Sequence, residues 1–266
     1  MFLNGINELA LPVCKKLSRD EVNYIKLLNN GVDENIQYAI KWLSTPEAKS
    51  ILEISDEEEF EDEFYGSSLY TNLNKIFSKN VESSKGVIKR FYNIGLKLGY
   101  DDLNKKLPFS SYDNEALSIL SDYVSEITLN VNKEVGIGIK DVLMVGVIGG
   151  YGLSKLTEDL LRVPYVPIRS NVSVSNRCVM VGRTEYGRSI NTGVLQAYSN
   201  SGVSEVDIIT TGLPNVCSYC LDLESNNPYT IEEAMSILPL HPQCACSYSP
   251  IKDSMESSAP VIVDLT

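Results

Sequence analysis

Apolar residues recur at helical spacing through the first half of the chain. Between residues 113 and 136 they stand three or four positions apart, after an Asp113 that suits an N-cap. Apolar positions between residues 17 and 43 fit two helices separated near Asn30 and Gly31. Further turn signals separate segments of helical length: Pro46, Gly66, Lys85, Gly86, Gly99 and Pro108. We therefore predict a helical region over residues 1–135.

The pattern changes near residue 136. A glycine-spotted apolar run over residues 141–153 predicts a buried helix, and a longer periodic segment predicts a helix that ends between Asn200 and Gly202. Two short strands are then expected, the first with Val206, Ile208 and Thr210 on one side and the second in "SYSPI".

These patterns predict an α+β fold. A mostly helical N-terminal half is followed by a helix-plus-small-sheet domain with a zinc-knuckle-like Cys/His cluster. We place the domain boundaries at residues 1–135, 136–253 and 254–266, with the last segment as a flexible tail.

Charge and composition narrow the class of partner. The net charge is −12, and both halves contain more acidic than basic residues, which argues against a broad nucleic-acid surface. The N-terminus lacks the pattern of a secretion signal, and the apolar run over residues 141–153 is shorter than the about 20 residues that span a bilayer. We therefore expect no membrane partner and synthesis in a reducing cytoplasm.

The segment "SDEEEFEDEFY", residues 55–65, combines a run of acids with two aromatic residues. Phe60 and Phe64 stand four positions apart and so share one helix face. The segment is typical of a solvated acidic face anchored by two aromatic side chains, with a docking site for a basic partner as the alternative.

The strongest chemical signal is a block of soft metal ligands near the C-terminus. Cys217 and Cys220 form a C-x-x-C motif, and His241, Cys244 and Cys246 form H-P-x-C-x-C. Thiolate and imidazole donors at this spacing predict one structural zinc ion in a closed tetrahedral site. Five donors exceed four positions, and the spacing does not decide between the last two cysteines. A metal-free thiol cluster, a disulfide and a catalytic or redox centre are the weaker alternatives.

Other catalytic patterns are poorly supported. The only histidine belongs to the metal block, so no Ser-His or Cys-His pair is available. The glycines between residues 146 and 152 lack the Lys-Ser/Thr of a phosphate loop and suit helix packing better. Cys14 and Cys178 stand alone and are expected to be simple buried thiols. We predict that the protein is not an enzyme.

Three segments together resemble a known family. They are "VGRTEYGRSINTGVLQAYSNSGV" at 181–203, "VDIITTGLPNVCSYCLDLES" at 206–225 and "LPLHPQCAC" at 238–246. In this order and spacing they are similar to the phage head morphogenesis proteins typified by phage Mu protein F, also described as minor capsid or minor head proteins. The resemblance covers about residues 136–250.

The resemblance assigns roles to particular residues. Arg183, Thr184 and Glu185 match the family's Arg-Thr-Glu, and the five Cys/His donors match its ligand block. Ala245 departs from the arginine usual between the last two cysteines, and "LESNNPYT" replaces a short glycine turn. From the sequence alone, Arg183 and Glu185 are charges on an amphipathic helix that form a local salt bridge or cap. The resemblance adds a role in locking this helix onto the cysteine segment.

By resemblance, the protein is a non-catalytic minor structural head protein of a tailed virus or provirus. The implied partners are the portal protein and the major capsid protein, with packaged DNA involved only indirectly, and the implied location is the virion interior near the portal. One alternative is a toxin-type or ADP-ribosyltransferase-like enzyme that carries this domain. Another is a zinc-dependent nucleic-acid-binding module, although no Lys or Arg lies between Cys217 and Cys246.

Overall fold

The computed structural model describes residues 18–54, 56–107, 113–168 and 171–251. The helices are α1 Arg19–Trp42, α2 Pro46–Ile51, α3 Glu57–Gly66, α4 Ser68–Asp102, α5 Asn114–Ile148, α6 Leu153–Arg162, α7 Val174–Asn200, α8 Ser218–Ser225 and α9 Ile231–Ala234. The strands are β1 Glu205–Ile209, β2 Tyr229–Thr230 and β3 Ser247–Pro250. The predicted tail at 254–266 and Cys14 lie outside the described residues. Within those residues, no helix is both long enough and apolar enough to cross a bilayer.

The predicted fold class is confirmed. A mostly helical N-terminal region is followed by short helices, a three-stranded antiparallel sheet and a Cys/His cluster. Strand β1 is central, with Val206 opposite Tyr229 of β2 and Asp207 opposite Ser249 of β3. Val206 and Ile208 are fully buried, as the alternation of the sequence predicts for one face of a strand.

The chain forms two compact units whose segments alternate along the sequence. The helical unit contains residues 20–90 and 115–185, and the mixed unit contains the described parts of 91–114 and 186–251 together with residues 18–19. The domain boundary that we expected near residue 135 falls inside α5, because the glycine-spotted segment simply continues that helix. The change of composition therefore does not coincide with the end of an element.

In the helical unit, glycine promotes close packing where the sequence suggested a break. Helix α1 is continuous, so the predicted interruption near Asn30 and Gly31 is wrong. A Cβ atom at Gly31 would collide with the Asn80 side chain, whose Cγ would lie 2.7 Å away. Glycine here makes room for a neighbouring polar side chain, at a cost in helix propensity that packing outweighs.

Helix α4 likewise continues through three of the predicted turn positions, Lys85, Gly86 and Gly99. In the mixed unit, α4 and α7 meet backbone to backbone around Gly95: a Cβ atom there would lie 2.9 Å from the Cα of Ile190 and closer still to its carbonyl oxygen. Gly193 approaches the backbone of Tyr92 just as closely. Glycines on both helices thus permit this short separation.

Other predictions for the helical unit have mixed outcomes. Phe60 and Phe64 of α3 are buried while the acids of this helix are largely exposed, which matches the solvated acidic face. The apolar run over residues 141–153 is not a buried helix: α5 ends at Ile148, which is 72% exposed, and Gly150 has a positive φ of 62° in the following turn. The glycines of this segment therefore form the turn that ends α5.

Glu47 links the start of α2 to the start of α4. Its carboxylate accepts hydrogen bonds from the Trp42 indole and from the backbone N–H of Ser68, both at 2.8 Å, and from the Ser68 hydroxyl. Burial alone would raise the pKa of Glu47, but the hydrogen bonds from Ser68 and Trp42 outweigh it and the pKa is lowered. This carboxylate therefore stabilises the fold as an anion.

Candidate metal centre

Cys217 and Cys220 are held together at the start of α8. Cys217 is the N-cap residue of this helix, and its Sγ accepts a hydrogen bond from the backbone N–H of Cys220 at 3.4 Å. An N-cap side chain and the third helical residue lie beside the same first turn, so the two sulfur atoms face a common point. The C-x-x-C spacing thus brings together two metal donors.

His241 completes a group with these two cysteines. The Pro242 carbonyl oxygen lies 2.9 Å from His241 Nδ1. Because a carbonyl can only accept, Nδ1 carries the hydrogen and Nε2 presents its lone pair. This Nε2 lies 3.3 Å from the Sγ atoms of both Cys217 and Cys220. Such fixing of the tautomer through the second ring nitrogen is usual for metal-binding histidines.

Cys244 and Cys246 approach from the turn before β3. The Cys244 N–H donates to the His241 carbonyl at 3.1 Å, and Gln243 between them has a positive φ of 62°. Strand β3 begins only at Ser247, so neither cysteine is part of a strand, yet both are buried and face the cluster. The Sγ atom of Cys244 lies 3.9 Å from that of Cys220.

The structure thus brings together all five donors predicted from the sequence. They form two overlapping groups, Cys217 with Cys220 and His241, and Cys220 with Cys244 and Cys246; within each group the donor atoms lie within 4.8 Å of one another. Each group could hold a metal ion. With Zn–S near 2.3 Å and Zn–N near 2.0–2.1 Å, a tetrahedron places neighbouring donors about 3.6–3.8 Å apart. The observed separations of 3.3 and 3.9 Å fall close to these values.

The thiols differ strongly in acidity. The backbone N–H of Cys220 lowers the pKa of Cys217, and a hydrogen bond from Cys246 lowers the pKa of Cys244 to about 5. Burial raises the pKa of Cys220 to about 12, and the hydrogen bond to Cys244 raises the pKa of Cys246. Sulfur binds metal as thiolate, so a bound cation would favour the deprotonated form of each ligand.

For His241, burial acts to lower the pKa, but the Pro242 carbonyl and the nearby thiolates outweigh it and the pKa is raised. The imidazole therefore sits in a region of negative potential. The same potential attracts a cation to the cluster.

The cluster is also part of the core of the mixed unit. Its buried cysteines pack with apolar side chains of the sheet and short helices: Val206, Ile208, Ala234, Leu238 and Tyr248. On one side it borders a cavity of about 100 Å³ that is lined by Cys217, His241 and Cys246 and by the loop at residues 211–216. A metal bound here would tie the start of α8 to the segment before β3.

Two residues important to the site were not predicted. Asn191 of α7 donates from Nδ2 to the Cys246 carbonyl at 3.1 Å, and Gln243 adopts the left-handed backbone of the turn. Asn191 precedes its partner by 55 residues, so no local pattern could indicate the contact. Glycine and asparagine are the usual sequence signals of a left-handed backbone, so a glutamine at position 243 gave no indication of this conformation.

The Arg-Thr-Glu segment lies within α7. Arg183 is 7% exposed and Glu185 only 1%, so these are not surface charges of an amphipathic helix, as their sequence pattern suggested. Thr184 donates from its hydroxyl to the Met180 carbonyl at 2.7 Å. All three belong to the helical unit. There, burial raises the pKa of the Tyr24 hydroxyl, and the charge of the Glu185 carboxylate raises it further. Their predicted role in locking α7 onto the cysteine segment stays a prediction.

The remaining cysteine in the described part of the chain, Cys178, is fully buried, and burial raises its pKa to about 12. A protonated thiol in this environment is a poor nucleophile. The interpretation as a simple buried thiol therefore fits the structure.

Comparison of the chain with models of known protein families gives no match, and no curated protein or solved structure matches it either. Function must therefore be inferred from the residues and the geometry of the chain itself.

Proposed function

We propose that the Cys/His cluster binds one zinc ion through Cys217, Cys220, His241 and Cys244. The observation that carries this proposal is the meeting of the two sequence motifs, about twenty residues apart, around His241 Nε2 and the Cys220 sulfur. Three sulfur donors and one imidazole are one of the donor sets typical of structural tetrahedral zinc. A closed set of four protein ligands makes the ion structural.

Cys244 is the better candidate for the fourth ligand. Its Sγ lies 3.9 Å from that of Cys220. Its charge raises the pKa of His241, as the charge of Cys217 does. Cys246 instead donates a hydrogen bond to Cys244 and also contacts Cys220. It would remain a neutral thiol that supports the ligands and does not bind the metal.

The zinc would stabilise the C-terminal module, which we define as residues 205–251. This module contains only three short strands and two short helices, so its own apolar core is small. A metal ion compensates for a small core because its binding energy is available only to the folded state.

We further infer that the chain acts as a minor structural head protein of a tailed virus or provirus. Three segments resemble the Mu protein F-like family in order and spacing, and the ligands contributed by two of them converge in space, as a shared metal site requires. In this role the protein would associate with the portal inside the head, contact the portal and major capsid proteins, and act in head assembly or DNA delivery without catalytic turnover.

The zinc site is tested by elemental analysis of the full chain purified without chelator. We expect about one zinc per chain in the wild type, a large loss in Cys244→Ser and retention in Cys246→Ser, which is the matched control. Absence of zinc from the wild type would contradict the proposal. Loss of zinc only in Cys246→Ser would reverse the ligand assignment.

The role in the head is tested separately. The tagged chain is expressed in its native host or virus, and co-purifying proteins are identified by mass spectrometry. Recovery of the portal or major capsid protein would support the proposal. Recovery of only nucleic acid or a cellular enzyme complex would reject it, whatever the zinc content.

A further inference from the structure

The helical unit contains a second cavity, far richer in aromatic side chains than the one beside the cysteines. We call it the aromatic cavity; it lies between α3, α4 and α5 and has a volume of about 210 Å³. All the residues that line it belong to the helical unit. None of them has a role in the metal centre or in the motifs that resemble head proteins.

One wall of the aromatic cavity is a cluster of rings. The centroid of Phe64 lies 5.5 Å from that of Tyr65 and 5.9 Å from that of Tyr70, and the two tyrosines stand edge to face at 5.0 Å. Rings that contact one another in this way fix each other's orientation. The wall is therefore pre-formed and largely apolar, with rings inclined to one another.

The opposite wall is a stripe along α5 that includes Lys133, Gly136 and Lys140. Gly136 leaves space beside the Phe77 ring: a Cβ atom at this position would lie 3.6 Å from the ring, an ordinary contact. A Cβ atom at Gly136 is therefore accommodated without a collision, and a longer side chain there would extend from a position that lines the cavity.

The lining contains two lysines, of which one is ion-paired and the other is not within the described residues. Lys140 has a side chain only 12% exposed, is ion-paired with Glu61 and lies 5.9 Å from the centre of the Tyr65 ring. Lys133 is exposed and makes no hydrogen bond or ion pair within the described residues. No acidic residue lines the cavity in the part of the chain that the structure describes. Among the described residues that line the cavity, Lys133 is thus a cation without an ion-pair partner.

We propose that the aromatic cavity binds a single aromatic ring that carries a carboxylate. The ring packs against the Phe64, Tyr65 and Tyr70 wall, and the carboxylate pairs with Lys133. An apolar cavity of about 150 Å³ holds benzene, and drug-sized ligands need about 300 Å³ or more, so a volume between these suits one ring with a short acidic substituent. A cationic ring is disfavoured because Lys133 would repel it, whereas the charge of Lys140 is paired with Glu61.

Two sources share this chemistry, a free aromatic acid and the C-terminal aromatic residue of a protein chain. Both are tested on the full chain by ligand-observed NMR titration. The ligands are phenylacetate, its neutral analogue phenylacetamide, and the tripeptide Gly-Gly-Phe with a free or an amidated C-terminus. We expect phenylacetate to bind more tightly than phenylacetamide. Tighter binding of the free-terminus peptide than of its amide would identify a protein terminus as the source, and binding of phenylacetate alone would identify a small acid.

Three variants link binding to the cavity. Lys133→Gln should weaken phenylacetate binding about two- to fivefold, as expected for loss of a partly exposed ion pair. Gly136→Leu should abolish binding by filling the cavity, while Lys89→Gln, which removes an exposed charge of α4 outside the lining, should leave it unchanged. Equal binding of phenylacetate and phenylacetamide, no binding of any ligand, or full binding by both Lys133→Gln and Gly136→Leu would overturn the proposal.

Discussion

The close contact of α4 and α7 around Gly95 can be tested with a single methyl group. Gly95→Ala would place a Cβ atom 2.9 Å from the Cα of Ile190 and nearer to its carbonyl oxygen, so the two backbones would have to separate. Such overpacking costs about 1–3 kcal/mol, and the better helix propensity of alanine offsets about 0.5–1 kcal/mol of it. We expect a net loss of about 1–2 kcal/mol in the free energy of unfolding.

Gly86→Ala in the same helix is the matched control, because a Cβ atom there would meet nothing within 4 Å. It should raise the free energy of unfolding by about 0.5–1 kcal/mol. Urea denaturation followed by circular dichroism measures both changes in free energy. In thermal denaturation, Tm should fall by about 2–8 °C for Gly95→Ala and rise by about 1–4 °C for Gly86→Ala. If Gly95→Ala were as stable as the wild type while Gly86→Ala behaved as expected, the backbone contact at Gly95 would not exist.

Three further predictions concern separate parts of the molecule. Glu47→Gln should lower the free energy of unfolding by about 1–2 kcal/mol at neutral pH. The folded-state pKa of Glu47 is depressed, so its contribution to the free energy of unfolding is complete above the ordinary pKa of 4.5 and is lost as the pH falls below that value. The stabilities of wild type and variant should therefore converge when unfolding is measured at decreasing pH, and a constant difference would refute this. Cys178 should resist iodoacetamide in the native protein and react after unfolding, as seen by mass spectrometry; rapid native labelling would show that it is accessible. His241→Ala should speed hydrogen exchange in the C-terminal module while sparing the helices before it, and uniform protection in both proteins would argue against a metal-dependent module.

Local sequence patterns were sufficient to predict the five clustered Cys/His residues and strands β1 and β3, but not the short helices α8 and α9 or strand β2. The C-x-x-C and H-x-x-C spacings are short enough that one helix start and one turn present each pair. The alternation of Val206 and Ile208 likewise gives β1 its buried face. In these segments the physical cause of the structure lies within a few residues.

Contacts between distant residues explain most of what the sequence did not predict. Gly31 and Gly99 resemble helix breakers, but each lies inside a helix because a side chain or backbone far along the chain packs against it. Arg183 and Glu185 have the charges of a surface helix face and are nevertheless buried, which the local sequence does not indicate. Asn191 contacts the site through its hydrogen bond to the carbonyl of Cys246, which lies 55 residues further along the chain.

The zinc site itself is tested most directly by X-ray absorption at the zinc edge on the full chain purified with its metal. The proposed ligands Cys217, Cys220, His241 and Cys244 predict one zinc with three sulfur neighbours near 2.3 Å and one nitrogen near 2.0–2.1 Å. A site with four sulfur neighbours and no nitrogen would exclude His241, and a site dominated by light atoms would exclude the cysteine cluster as the place where zinc binds.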